Sequence, residues 1–225
     1  MKKVIAILIL LSSIVLPQKF KVEKISGTVR ALTTDSENWI ELKTGNEIPP
    51  NAIVSVEKNS LVKISGREVS VTLTENSAIT LSNLKKMSME DLVLAIAMEN
   101  ILNAPRNNGK NKSQSTAVYG KNEFEKNPVV SNQEFGIKRL NGAKQLAENG
   151  LKESAVIAAK EVYRKYPSTK SLSDYRIFFA EILYEKKLYA EALDEYNDIQ
   201  TLSLSESQKE KVNQRIEEIK RKLAK

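Results

Sequence analysis

Neither cysteine nor histidine occurs anywhere in this 225-residue chain. Their absence removes disulfides, thiol nucleophiles, a lipidated cysteine anchor, imidazole acid–base catalysis and nearly all zinc or haem ligation. A Gly-rich phosphate loop and a Gly-x-Ser-x-Gly elbow are missing too. Catalysis would then need a carboxylate pair, a Ser–Lys dyad or a metal held by oxygens. The candidate carboxylates Glu90/Asp91 and Asp194/Glu195 fall at helix starts or on faces expected to be exposed, where capping and solvation account for them. No catalytic, cofactor-binding or metal-ligating residue is expected, and the chain reads as non-enzymatic. A hydrolase built on an unrecognised carboxylate pair is the weaker reading.

Charge of one sign is also lacking. Lys and Arg number 35 against 28 Asp and Glu, a formal +7. Lys2 and Lys3 lie in a segment expected to be removed, which leaves 33 minus 28. The bases are interspersed with acids, whereas a nucleic-acid binder concentrates them on one face with aromatics between. The nearest approach to a cluster, Lys220, Arg221, Lys222 and Lys225, sits at the end of an expected helix, where cations oppose the macrodipole. Nucleic acid is therefore not an expected partner.

The one long apolar run is at the amino terminus. Lys2-Lys3 precede Val4-Ile5-Ala6-Ile7-Leu8-Ile9-Leu10-Leu11 and Ser12-Ser13-Ile14-Val15-Leu16-Pro17-Gln18. This pairs a positive n-region with an h-region shorter than the roughly 20 apolar residues that span a bilayer. It reads as a secretory signal peptide over residues 1–18, cleaved near Gln18, with a retained anchor as the alternative because a small-x-small site is missing. The expected location is periplasmic or otherwise exported, with no membrane span after removal.

From about Lys21 to Leu84 the pattern is that of β structure. Short runs such as Val22–Ile25, Thr28–Leu32, Ile53–Val56, Leu61–Ile64 and Val69–Leu73 alternate with turn residues such as Thr44-Gly45-Asn46, Pro49-Pro50-Asn51 and Ser65-Gly66-Arg67. A small roll or sandwich of about seven strands is expected. The order Gly27-x-Val29, Trp39-x-x-Leu42-x-x-Gly45, Ile53, Ser60-x-Val62-x-Ile64, Gly66 and Leu73-x-x-x-Ser77-x-Ile79 resembles the FecR domain. It departs at Pro49-Pro50-Asn51, where that family often has a second Gly, and at Ser55, where it has Thr. The resemblance implies an extracytoplasmic β domain. The regulatory role of the best-known members does not carry over, because their anti-sigma segment and mid-chain membrane helix have no counterpart in this sequence.

Ser88 to Asp91 has capping-box spacing and leads into Leu92–Leu102, so apolar on most sides that a buried helix against the β domain is expected. Residues 105–130 hold a polar stretch, Arg106 to Thr116, without core-forming residues, and read as a flexible linker. From Ser131 the period is helical, with capping boxes at Ser131/Glu134, Ser171/Asp174 and Ser205/Gln208 and stops at Gly150 and Pro167. Helices are expected over 132–149, 151–166, 172–186, 188–200 and 206–224. The fold class is then α+β as separate domains: 1–18 signal, 19–104 β domain with a buried helix, 105–130 linker and 131–225 helical hairpins.

Ala155 and Ala192 align two copies of a helical pattern 37 residues apart. Ala143, Leu146, Gly150, Ala155 and Pro167 in the first, and Ala180, Leu183, Tyr189, Ala192 and Tyr196 in the second, resemble the tetratricopeptide repeat, whose period is roughly 34 residues. Arg139 and Arg176 stand where that family has Trp, and Ala159 where it has an aromatic. Val212, Ile216, Ile219 and Leu223 give the last helix one apolar stripe, as in a cap. The resemblance implies a partner-binding groove on the first helix of each hairpin, which singles out Lys144, Glu148, Asp174, Glu181 and Tyr184. The expected function is an envelope scaffold that binds a protein partner, with self-association or docking on the β domain possible for so short an array. The alternative is a cell-wall glycan or polysaccharide binder that uses the β domain around Trp39.

Overall fold

The computed structural model describes residues 19–33, 38–66, 68–103 and 133–224. The expected signal segment 1–18, the linker 105–130 and the Ser131 cap lie outside the described residues.

Strands come first: β1 (Phe20–Ser26), β2 (Val29–Leu32), β3 (Ile40–Glu41), β4 (Glu47–Ile48), β5 (Ile53–Val56), β6 (Leu61–Ser65), β7 (Ser70–Thr74) and β8 (Ser77–Thr80). They form two four-stranded antiparallel sheets, ordered β4-β1-β6-β7 and β3-β2-β5-β8. Alternation does the sorting. Val71 and Leu73 of β7 are buried while Ser70 and Thr74 are exposed, since successive side chains leave a strand on opposite faces. Phe20, Val22, Val62 and Ile64 from one sheet share a core with Val29, Ala31, Val54 and Ile79 from the other.

Two residues of the β motif touch each other. Gly27 has φ +75°, and a Cβ there would stand 2.9 Å from both the Asn59 carbonyl oxygen and the Ser60 Cβ. The Ser60 hydroxyl accepts from the Thr28 N–H at 2.8 Å and donates to the Lys58 carbonyl at 3.1 Å. Gly27 is thus required both by its backbone conformation and by lack of room.

Among the described residues six α-helices follow: α1 (Met89–Asn103), α2 (Gln133–Glu148), α3 (Lys152–Lys165), α4 (Ser173–Glu185), α5 (Tyr189–Gln200) and α6 (Glu206–Leu223). Capping boxes close at Ser88/Asp91 and at Ser205/Gln208, each with both reciprocal bonds. The expected Ser171 box does not form. Leu172 is the N-cap of α4, and Ser171 instead donates to the Ser168 carbonyl within a 3₁₀ turn, Pro167–Ser171. α2 and α4 end alike, on residues 37 positions apart. At Gly150 (φ +85°) and Lys187 (φ +62°) the chain turns left-handed. The next N–H then reaches back five residues, from Leu151 to Leu146 and from Leu188 to Leu183.

Two apolar segments differ from expectation. α1 is only half buried, and its main partner is α3 rather than the sheets. Leu92 and Ile96 are covered, but Val93, Leu94, Met98, Ile101 and Leu102 are exposed. An all-round apolar sequence fixes no single inner face, so the sequence carried no information on which side would pack. In α6, Val212, Ile216 and Ile219 are buried, but Leu223, in the last turn, is exposed.

The helical and β parts share one contiguous core. α2 lies across the β7–β8 hairpin, and Gly142 permits it. A Cβ on Gly142 would stand 2.5 Å from Ile79 Cγ2, 2.8 Å from the Ala78 carbonyl carbon and closer still to its oxygen. Along the free edge of β7 and the turn after it, three side chains at four-residue steps, Asn141 and Gln145 on α2 and Asn149 just past its end, bond the hairpin. Asn149 accepts from the Thr72 N–H (3.1 Å) and donates to the Thr72 carbonyl (3.2 Å). Gln145 accepts from the Thr74 N–H (2.8 Å) and donates to the Thr74 hydroxyl (2.9 Å). Asn141 donates to the Asn76 carbonyl at 2.8 Å. This amide ladder satisfies backbone groups that an edge strand leaves unpaired.

Candidate functional site

Contacts in the helical part recur at a fixed sequence separation. α2 meets α4 through Asn141, which accepts from the Tyr175 hydroxyl, and through Lys144, whose Nζ lies 5.5 Å from the Phe178 ring centre. α4 meets α6 through Asp174 with Gln208 (2.7 Å), Glu181 with Arg215, and Tyr184 with Glu218 (3.4 Å). Each hydrogen-bonded pair is separated by 34 residues. Between the rows Lys152–Glu185 and Glu153–Lys186 join the start of α3 to the end of α4 at a separation of 33, and on the other layer Lys160–Glu195 joins α3 to α5 at 35. Helices α2, α4 and α6 therefore stack as one row and α3 and α5 as another, because hairpins of similar length place the same helix face against its successor.

Of the residues expected to line a groove, Lys144 and Glu148 are exposed on α2 and Asp174 is exposed on α4. Lys144 and Asp174 flank Phe178, whose ring is only partly covered and packs edge-on against Phe179 at 5.1 Å. Ile177, Phe178 and Asp174 line a shallow cavity of about 380 Å³ with Ser207, Gln208 and Lys211 of α6. Glu181 and Tyr184 point into the α4–α6 contact instead. Glu181 accepts from Arg215 and from the Tyr196 hydroxyl (2.6 Å), and the Arg215 guanidinium lies 4.0 Å from the Tyr184 ring centre. Burial, together with the Glu181 carboxylate, pushes the Tyr196 hydroxyl well above its ordinary range, so it stays a donor.

The strongest electrostatics lie where sequence reasoning noted only a departure. Arg139 and Arg176 are 3% and 7% exposed. Arg139 donates to the Thr80 hydroxyl (2.8 Å) and lies 3.5 Å from Glu161, which also takes Lys165 at 2.7 Å. Burial alone would raise the Glu161 carboxyl, but Arg139 and Lys165 outweigh it and hold the group at about 2. Arg176 binds Glu195 through Nε (3.2 Å) and Nη2 (2.9 Å), and Lys160 reaches the other carboxylate oxygen at 2.5 Å. Glu195, expected on an exposed face, is instead largely buried; burial opposes its ionisation, and Lys160 and Arg176 overcome that and keep its carboxyl low. The signal that could have found these pairs is an Arg on the apolar stripe of each first helix, with a Glu on the helix that follows.

Carboxylates held this low are anions at neutral pH with their cations in place, suited to fixing helices rather than moving protons. Trp39 is half-buried and meets Phe135 edge-on at 5.9 Å, with Tyr166 beyond at 6.2 Å. The ring thus joins the β part to α2. Among the described residues no group of three or more metal-ligating side chains occurs, and no helix is long and apolar enough to cross a membrane. No family model matches the chain, and no curated protein or solved structure is significantly similar to it.

Proposed function

We propose that this chain is an exported, non-enzymatic binding protein of the cell envelope, which engages a protein partner through the row formed by α2, α4 and α6. In this reading the helical part is tetratricopeptide-like, the β part is FecR-like, and the β part serves as the platform on which the helical stack is mounted. The observation that carries it is the partly covered Phe178 in the α4–α6 cavity, bracketed by Lys144, Asp174 and Lys211. An aromatic anchor ringed by charges of both signs is the composition of a protein-binding patch. The recurrent 34-residue separation supports the repeat reading, and the Lys2-Lys3 run into Val4–Leu11 supports export.

A photo-reactive amino acid at Phe178 tests this in intact cells, with the same substitution at Glu217 on the outer face of α6 as control. A discrete protein adduct at 178 but not at 217 is expected, with the adduct protected from a cytoplasmic label. Equal labelling at both positions, or none, would sink the proposal.

A further inference from the structure

We propose that α1 is the seam of a homodimer, two copies pairing antiparallel across Val93, Leu94, Ala97, Met98, Ile101 and Leu102. One half of the helix is fixed within its own chain: Leu92 and Ile96 are 0% and 3% exposed, and Glu99 accepts from Arg164 of α3 at 3.0 Å. The other half is open. Val93 is 43% exposed, Leu94 63%, Met98 57%, Ile101 74% and Leu102 61%, with Ala97 exposed among them. They form a continuous apolar strip on the order of 500 Å², at the upper end of what monomers leave in water. Two such strips face to face remove roughly 1,000 Å², the size at which specific interfaces begin.

Chemistry and spacing favour a second copy over other occupants. Helix α1 contains no Lys or Arg, its first-turn acids Glu90 and Asp91 precede the strip, and Glu99 is turned toward Arg164. An anionic lipid surface meets no cation on this helix, whereas surface-bound helices carry Lys and Arg beside their apolar face. An uncharged strip asks for another uncharged strip. The apolar positions fall in pairs at 93/94, 97/98 and 101/102, which is symmetric about the middle pair. The 94/98/102 row is in turn symmetric about Met98, and a two-fold axis there sets Leu94 of one copy against Leu102 of the other and Met98 against itself. That is the self-complementarity an isologous contact demands. Ala97 lets the helices approach at the crossing, and Met98 supplies a flexible side chain to fill what remains.

The chain has no cysteine, so introduced thiols are the only ones present. In the full chain Met98→Cys should give a disulfide-linked dimer as the main product of mild oxidation. Leu94→Cys alone should stay unlinked but should join to Leu102→Cys when the two variants are mixed. Linkage at 98 no greater than for Glu217→Cys overturns the proposal, and so does a Leu94→Cys self-link, which requires parallel helices. Sedimentation of the full chain at tens of micromolar should show Met98→Glu at half the mass of the parent, with a melting curve that no longer shifts with protein concentration as the parent's does. Equal masses, or vesicle binding that disappears with Met98→Glu, would instead show that the strip serves another purpose.

Discussion

Arg139 and Arg176 occupy places in their helices that an apolar side chain would fill at no electrostatic cost. A buried ion pair seldom adds stability over a hydrophobic replacement, but removing one partner strands the other charge. Glu161 shows the consequence most clearly, because it is 18% exposed and its carboxyl is held at about 2 against an ordinary 4.5. A depressed carboxyl contributes stability that is complete above its unfolded value and is lost as pH falls from about 4.5 toward 2. Glu161→Gln should therefore lower the unfolding free energy at pH 7 by on the order of 3 kcal/mol. The gap between variant and parent should shrink as the pH is taken from 5 to 3. Urea titrations at both pH values measure this, and a gap that stays constant would show that Glu161 is not the group being titrated.

Among the elements, the contact of α2 with β7 sets how the chain is held together. Asn141, Gln145 and Asn149 fall at four-residue steps, so the face of α2, continued by the residue just past its end, offers two amides to the strand edge and one to the turn beyond it. Gln145 and Asn149 make four bonds to β7, each contributing about 0.5–1.5 kcal/mol, so the double change Gln145→Ala with Asn149→Ala should cost roughly 2–6 kcal/mol. It should also raise light scattering during refolding, since a bare edge pairs with other chains. Chemical denaturation reads the first effect, and scattering at matched concentration reads the second.

The same elements divide what periodicity reveals from what it conceals. Helices α2 to α6 were legible to within a residue or two, because each has one apolar stripe and clear stops such as Gly150. Strands β3 and β4 have two residues each and leave no period to read. The polar face of α2 reads as solvated in the sequence, yet its amides bond a strand some seventy residues earlier, which no local pattern encodes. Of the candidate groove, Lys144 and Asp174 lie beside Phe178. The stacking of α6 that draws Glu181 and Tyr184 inward is a tertiary event, set by Arg215.

At the scale of the molecule, a core that runs from Phe20 to Ile219 implies one cooperative unit. Trp39 is the sole Trp and lies against Phe135, where the β part meets α2. Its fluorescence should change in the same denaturant range as the helical circular dichroism signal. Two separated transitions would show instead that the β part and the helices unfold independently. The ladder on β7 also has a temporal side. Thr72 and Thr74 leave the ribosome 77 and 71 residues ahead of Asn149 and Gln145, so the nascent chain carries an adhesive strand before the helix that shields it has been made. During that interval the β7 edge has no cover within its own chain, and a fragment released between codons 80 and 130 should aggregate more readily than the full chain at the same concentration.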